Sequence, residues 1–131
     1  MPKVLVIDDD PILSEIYGRQ LKAANFDVEV AQDGIEGFVR LQVFHPDVVL
    51  LDLGLPYRNG VDWIDHIRAI EKYKDLPVVV LTGQAPDSRD VQAALKSSAT
   101  QVLFKTSRSP SAVISAVNWA TGRQPGVLQV A

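Results

Sequence analysis

The chain has 131 residues, a formal net charge of −3 and no cysteine. That length fits one globular domain whose core needs no covalent staple, and the lack of cysteine excludes disulfides and thiolate metal sites. His45 and His66 lie far apart in sequence, which argues against zinc, and the acidic balance argues against direct nucleic-acid binding by this domain. No apolar run approaches the roughly 20 residues that span a bilayer, and MPKVLVIDD lacks the layout of a signal peptide. The expectation is a cytoplasmic domain that does not contact membrane.

The first element is the apolar run Val4–Ile7, which leads straight into Asp8, Asp9 and Asp10. Asp10 followed by Pro11 signals a helix start, with an acceptor at the N-cap and proline at the first helical position. Ile12, Leu13, Ile16, Tyr17 and Leu21 follow at helical spacing. Phe26–Val30 is the second predicted strand, and Asp33–Gly34 opens a helix carrying Ile35, Phe38, Val39 and Leu41. Val48–Leu51 is the third strand, and Gly60 precedes Val61, Ile64, Ile67 and Ile70. Val78–Leu81 is the fourth, followed by Asp87 and the thinner stripe Val91, Ala94 and Leu95. Val102–Phe104 is the fifth, and Ser109–Pro110 repeats the cap-plus-proline signal before Val113, Ile114, Val117 and Ala120. Residues 125–131 lack a helical period and read as a tail or the start of a linker after a domain of residues 1–124.

The third and fourth strands, VVLL and VVVL, do not alternate with polar residues. Such runs suit strands covered on both faces. Strand and helix alternate five times, which predicts an α/β fold with parallel strands and right-handed crossovers. Ligands of such sheets bind beyond the carboxyl ends of the strands. Asp8, Asp9 and Asp10 follow the first strand, Asp52 the third and Thr82 the fourth, while Lys105 ends the fifth. Crowded carboxylates call for a cation, and Mg²⁺, with its preference for oxygen, is the simplest. A carboxylate there can act as a nucleophile toward phosphorus, with a hydroxyl and an ammonium binding the phosphoryl oxygens.

These segments resemble the receiver domain of two-component response regulators over about Lys3 to Arg123. VLVIDDDP is similar to the family's acidic-pair segment. DLGLPYRNG resembles the loop of the phosphorylated aspartate, with proline four residues later and glycine eight later. The resemblance implies a flavodoxin-like (βα)5 three-layer sandwich with a five-stranded parallel sheet in the order 2-1-3-4-5. It implies Asp52 as phosphoacceptor, with Pro56 and Gly60 shaping its loop. It assigns Thr82 as the switch hydroxyl and Lys105 as the phosphoryl-binding lysine. Asp8, Asp9, Asp52 and the Gly54 carbonyl become ligands of Mg²⁺. It also implies a sensor histidine kinase or a histidine phosphotransfer protein as partner. An output surface, and a homodimer contact, would then involve the fourth helix, fifth strand and fifth helix. The protein would be a signalling phosphoacceptor rather than an enzyme.

Three positions depart from the family pattern. Val102 stands where an aromatic is usual, with Phe104 on the same side of the strand. Thr106 replaces the proline after the lysine, and Ser97–Ser98 replace a glycine near the end of the fourth helix. These departures give weight to an alternative, a docking or dimerisation module that works without phosphorylation. A more remote alternative is a haloacid dehalogenase-like phosphohydrolase, with Asp8 as nucleophile and Asp10 as its second acid. Outside the site, Tyr17, Trp63 and Trp119 read as packing residues, Trp119 also as a candidate partner contact. Asp10 reads as a helix cap only, His45 as structural or solvent-facing, and His66 as exposed. Arg58 and Asn59 fit loop polarity as well as a kinase contact.

Overall fold

The structure, a computed structural model, describes residues 1–55, 60–96, 101–104 and 110–122. Its strands are β1 (Lys3–Ile7), β2 (Asp27–Ala31), β3 (Val48–Asp52), β4 (Val78–Thr82) and β5 (Gln101–Phe104). Between and after them run α1 (Pro11–Ala23), α2 (Gly34–Phe44), α3 (Gly60–Arg68), α4 (Arg89–Lys96) and α5 (Pro110–Ala120), with a short 3-10 turn at Glu71–Tyr73. The strands form one sheet in the order β2-β1-β3-β4-β5, and every neighbouring pair is parallel.

Successive side chains of a strand point to opposite faces, and that alternation splits the interior in two. Val4, Val6, Val48, Leu50, Val79 and Leu81 pack with Leu21 of α1 and Val113 and Val117 of α5. Leu5, Ile7, Val49, Leu51, Val78 and Val80 pack with Leu41 of α2, Ile64 of α3 and Val91 of α4. Both faces of β3 and β4 are covered, so neither strand needed polar residues to meet water. This is the expected three-layer sandwich.

The caps fix where the helices begin. Asp10 Oδ1 accepts from the amides of Ile12 at 2.9 Å and Leu13 at 3.2 Å. Asp33 Oδ1 accepts from the Glu36 amide at 2.8 Å, and Glu36 Oε2 accepts from the Gln32 amide at 3.1 Å. These two bonds satisfy the Glu36 and Gln32 amides at the start of α2, a variant of the capping box in which the glutamate reaches one residue beyond the cap. His45 closes α2 in the left-handed region, at φ 54°, so it is structural. α4 begins one residue later than a cap at Asp87 predicts, at Arg89, because Ser88 is its cap and accepts from the Val91 amide at 3.1 Å.

The helical spacing locates α1 and α2 and the inward Leu21 and Leu41, but not the whole of the buried side. Ile12, Ile16, Ile35 and Val39 are exposed, whereas Ser14, Gly18, Gly34 and Gly37 are buried. Small residues let these helices approach the sheet closely. At Gly37 an added Cβ would lie 2.6 Å from Ile7 Cδ1 and 3.1 Å from its Cγ1. Trp63 is buried and its indole N–H donates to the Gly34 carbonyl at 3.0 Å. Trp119 differs from the packing expectation, being 55% exposed. Phe26 precedes β2 rather than joining it, and is buried. Tyr17 is partly buried against the α1 and α5 side of the core.

Gly37 and Gly18 make opposite predictions. Gly37→Ala crowds a fully buried isoleucine, and overpacking of about 1–3 kcal/mol outweighs the helix-propensity gain. At Gly18 an added Cβ meets only Val28 and Val30 methyls at 4.0 Å. Gly18→Ala therefore gains about 0.5–1 kcal/mol from helix propensity. Urea unfolding midpoints should move in opposite directions; a shift of both the same way contradicts this packing.

Candidate functional site

β1 and β3 are paired so that Ile7 stands opposite Leu51. One further residue along that register sets Asp8 beside Asp52. Backbone bonds fix both ends: Asp8 donates to the Ala31 carbonyl at 3.1 Å, and Leu53 donates to Leu81 at 2.9 Å. The side chains of Asp8 and Asp52 are buried, at 1% and 8% exposure, while Asp9 is exposed. Asp8, Asp9 and Asp52 each offer a carboxylate oxygen within 4.8 Å of the others.

Local amides orient two of these carboxylates. Asp8 Oδ1 accepts from the Asp10 amide at 2.9 Å, and Asp52 Oδ1 accepts from the Gly54 amide at 3.3 Å. Asp10 is therefore more than a cap: its side chain starts α1 while its main chain steers Asp8. That second role depends on backbone direction and has no sequence signal. Three converging carboxylates are a hard, all-oxygen, anionic donor set, which matches a small hard divalent cation. Gly54 leaves that corner open, since an added Cβ there would meet nothing within 4 Å.

Thr82 ends β4 at 1% exposure. Leu81 pairs with Asp52 across β3 and β4, so Thr82 lies one residue beyond the partner of the carboxylate. Its Oγ1 accepts from the Gln84 amide at 3.0 Å. In β5, Val102 pairs with Val80 and Phe104 with Thr82. Val102 and Phe104 both pack on the α2, α3 and α4 side, as alternation predicts, and it is Phe104 that stands opposite the hydroxyl residue. Lys105, Pro56, Arg58, Asn59, Ser97, Ser98, Thr106 and the tail at 125–131 lie outside the described residues. His66 is exposed, its ring edge-on to Phe38 at 5.0 Å.

Gly60 closes the loop behind Asp52. Its amide donates to the Leu53 carbonyl at 2.9 Å. An added Cβ would lie 3.0 Å from Leu53 Cα and 3.2 Å from the Asp52 carbonyl oxygen, both main chain. The first turn of α3 thus rests directly on the backbone that carries Asp52.

A family model described as the response regulator receiver domain matches residues 4–118. The chain belongs to that family. Its match to the DNA-binding dual master transcriptional regulator RpaA of Synechocystis is 40% identical over 89 residues, 66% of this chain and 37% of that protein. Its match to the DNA-binding response regulator MtrA of Mycolicibacterium smegmatis is 38% identical over 103 residues, 79% of this chain and 43% of the relative. The chain spans about two-fifths of these relatives' lengths. The solved chemotaxis response regulator CheY4 of Vibrio cholerae superposes with a TM-score of 0.83 at 27% identity, covering 92% of this chain and 98% of that one. The receiver fold and its sheet order are therefore as the motifs implied. Among the described residues no helix is long and apolar enough to cross a membrane.

Because Gly60 touches backbone that cannot yield, Gly60→Ala in this receiver costs about 1–3 kcal/mol of stability and shifts the amide resonances of Asp52 and Leu53. An unchanged unfolding midpoint, with those resonances in place, would show the contact to be dispensable.

Proposed function

We propose that Asp52 accepts a phosphoryl group from a phosphohistidine on a sensor histidine kinase or a histidine phosphotransfer protein. The observation that carries this reading is the convergence of Asp8, Asp9 and Asp52 within 4.8 Å at the carboxyl edge of the sheet. The Asp52 carboxylate attacks phosphorus opposite the histidine nitrogen. A P–O bond forms, the P–N bond breaks, and its electron pair returns to the imidazole. Asp8, Asp9, Asp52 and the Gly54 carbonyl would hold Mg²⁺, which offsets the charge of the phosphoryl oxygens and of the carboxylates themselves. Lys105 pairs with one phosphoryl oxygen, and the Thr82 hydroxyl donates to another. The acyl phosphate carries a charge of about −1.5 to −2 where the carboxylate carried −1, and it places three acceptor oxygens further out, which redraws the hydrogen bonds at Thr82.

The product is a shifted population of surfaces rather than a released compound. Leu95 on α4 and Trp119 on α5, helices that cover opposite faces of the sheet, are large apolar residues at 57% and 55% exposure. That supports an output or homodimer contact at these helices. The matched relatives are DNA-binding regulators; here the acidic receiver acts by switching a surface, not by touching nucleic acid. The hydrolase alternative loses its second acid, because the Asp10 carboxylate is occupied as the cap of α1.

Acetyl phosphate with Mg²⁺ should modify the wild-type chain at Asp52. Asp52→Asn should abolish the modification, and Asp8→Asn should retain it at high Mg²⁺. Labelling that disappears with Asp8→Asn and persists in Asp52→Asn would establish the hydrolase chemistry instead, and no labelling at all would leave the docking module. The metal set has a separate readout. Mg²⁺ at 100 times its dissociation constant should raise the unfolding free energy by about 2.7 kcal/mol. Asp9→Asn should lose most of that gain, and an equal gain in the variant would remove Asp9 from the set.

A further inference from the structure

Thr82 and α4 are joined by a single residue. The main-chain amide of Gln84 donates to Thr82 Oγ1 at 3.0 Å, and its side-chain Nε2 donates to Asp90 Oδ2 at 3.3 Å. Asp90 lies in the first turn of α4. Gly83, between Thr82 and Gln84, is exposed and would by itself act as a hinge that lets Thr82 move alone. The bond from Gln84 to Thr82 spans that hinge.

Two further bonds attach the loop to the helix. Ser88 Oγ accepts from the Val91 amide at 3.1 Å, and Gln92 Nε2 donates to the Pro86 carbonyl at 2.8 Å. Ser88 also donates to the Ala85 carbonyl at 3.0 Å, closing the loop on itself. The segment from Gln84 through the first turn of α4 is thus tied at both ends, and Val91 and Ala94 seat it on the core. A displacement that enters at Gln84 has little slack in which to dissipate.

We propose that Gln84 couples the Thr82 hydroxyl to α4, with Asp90 as the anchor on the helix. Gln84 is a positioning residue, not a catalytic one. The inference rests on the phosphoacceptor reading of Asp52, since that reading supplies the reason for Thr82 to move. When the Thr82 hydroxyl turns to donate to a phosphoryl oxygen, the Gln84 amide moves with its acceptor. The side-chain amide then carries the shift to Asp90 and reorients the first turn of α4. The exposed Leu95 further along that helix moves with it.

The test uses the whole chain labelled with ¹⁵N, free and with beryllofluoride plus Mg²⁺ as an acyl-phosphate mimic. Three variants are compared with wild type. Gln84→Met keeps length and main-chain amide but drops the side-chain donor. Asp90→Ala removes the anchor, and Asp90→Asn keeps an acceptor oxygen without the charge. In Gln84→Met and Asp90→Ala the mimic should still shift the Thr82 and Gly83 amides as in wild type. Shifts at Val91–Leu95 should fall by at least half, and Asp90→Asn should restore them. Full α4 shifts in both cut variants would overturn the coupling, as would an Asp90→Asn that behaves like Asp90→Ala. Wild-type chain that shows no change even at Gly83 would instead overturn the phosphoacceptor reading, and the coupling with it. All three substitutions are at partly exposed surface positions, so a folded spectrum is expected before the mimic is added.

Discussion

Carboxylates held within 4.8 Å of one another repel, and a fold can keep them there only if something other than the carboxylates fixes their backbones. Here that constraint is the parallel register of β1 against β3, in which four consecutive apolar pairs run from Val4 and Val48 to Ile7 and Leu51. All eight residues are at most 1% exposed. A slip of one residue would send each of these side chains to the wrong face and would carry Asp52 away from Asp8. Hydrophobic burial behind the site therefore holds the backbones that carry it.

The rest of the molecule serves that register. α2, α3 and α4 cover one side of the two strands and α1 and α5 the other, so the central strands are screened from water on both faces. Close approach is secured by omission of side chains: Gly37 lies against Ile7, and Gly60 lies against the backbone of Leu53 and Asp52. Two short polar devices then aim the carboxylates, the Asp10 amide toward Asp8 and the Gly54 amide toward Asp52. Stability and site geometry are thus supplied by different groups, which lets the crevice carry charge that a core could not.

The residues that were legible in advance are those whose meaning is local. Asp10 before Pro11 marks a helix start because a cap and a fixed φ act within one turn. Asp8, Asp52 and Thr82 could be placed together because a parallel α/β sheet brings the carboxyl ends of its strands to one edge. The buried faces of α1 and α2 were not legible in the same way. Spacing groups Ile12 and Ile16 with Leu21 in α1, and Ile35 and Val39 with Leu41 in α2, yet only the leucines turn inward, beside Ser14, Gly18, Gly34 and Gly37. Nothing in a hydrophobic period distinguishes a helix that packs through bulk from one that packs through small residues at short range. Trp119 lies outside the core for a related reason, since an aromatic on an amphipathic helix can lie on either border of its stripe.

The alternation of strand and helix, the family motifs, and the acids and hydroxyl at the strand ends can all be read from the chain alone, because each is written in contiguous residues. How those ends meet follows from the packed fold. It set Phe104 rather than Val102 opposite Thr82, gave the Asp10 main chain to Asp8, and joined Gln84 to both Thr82 and Asp90. Each of these depends on register or on the direction of a single amide, and those are fixed only when separate segments close on a common core.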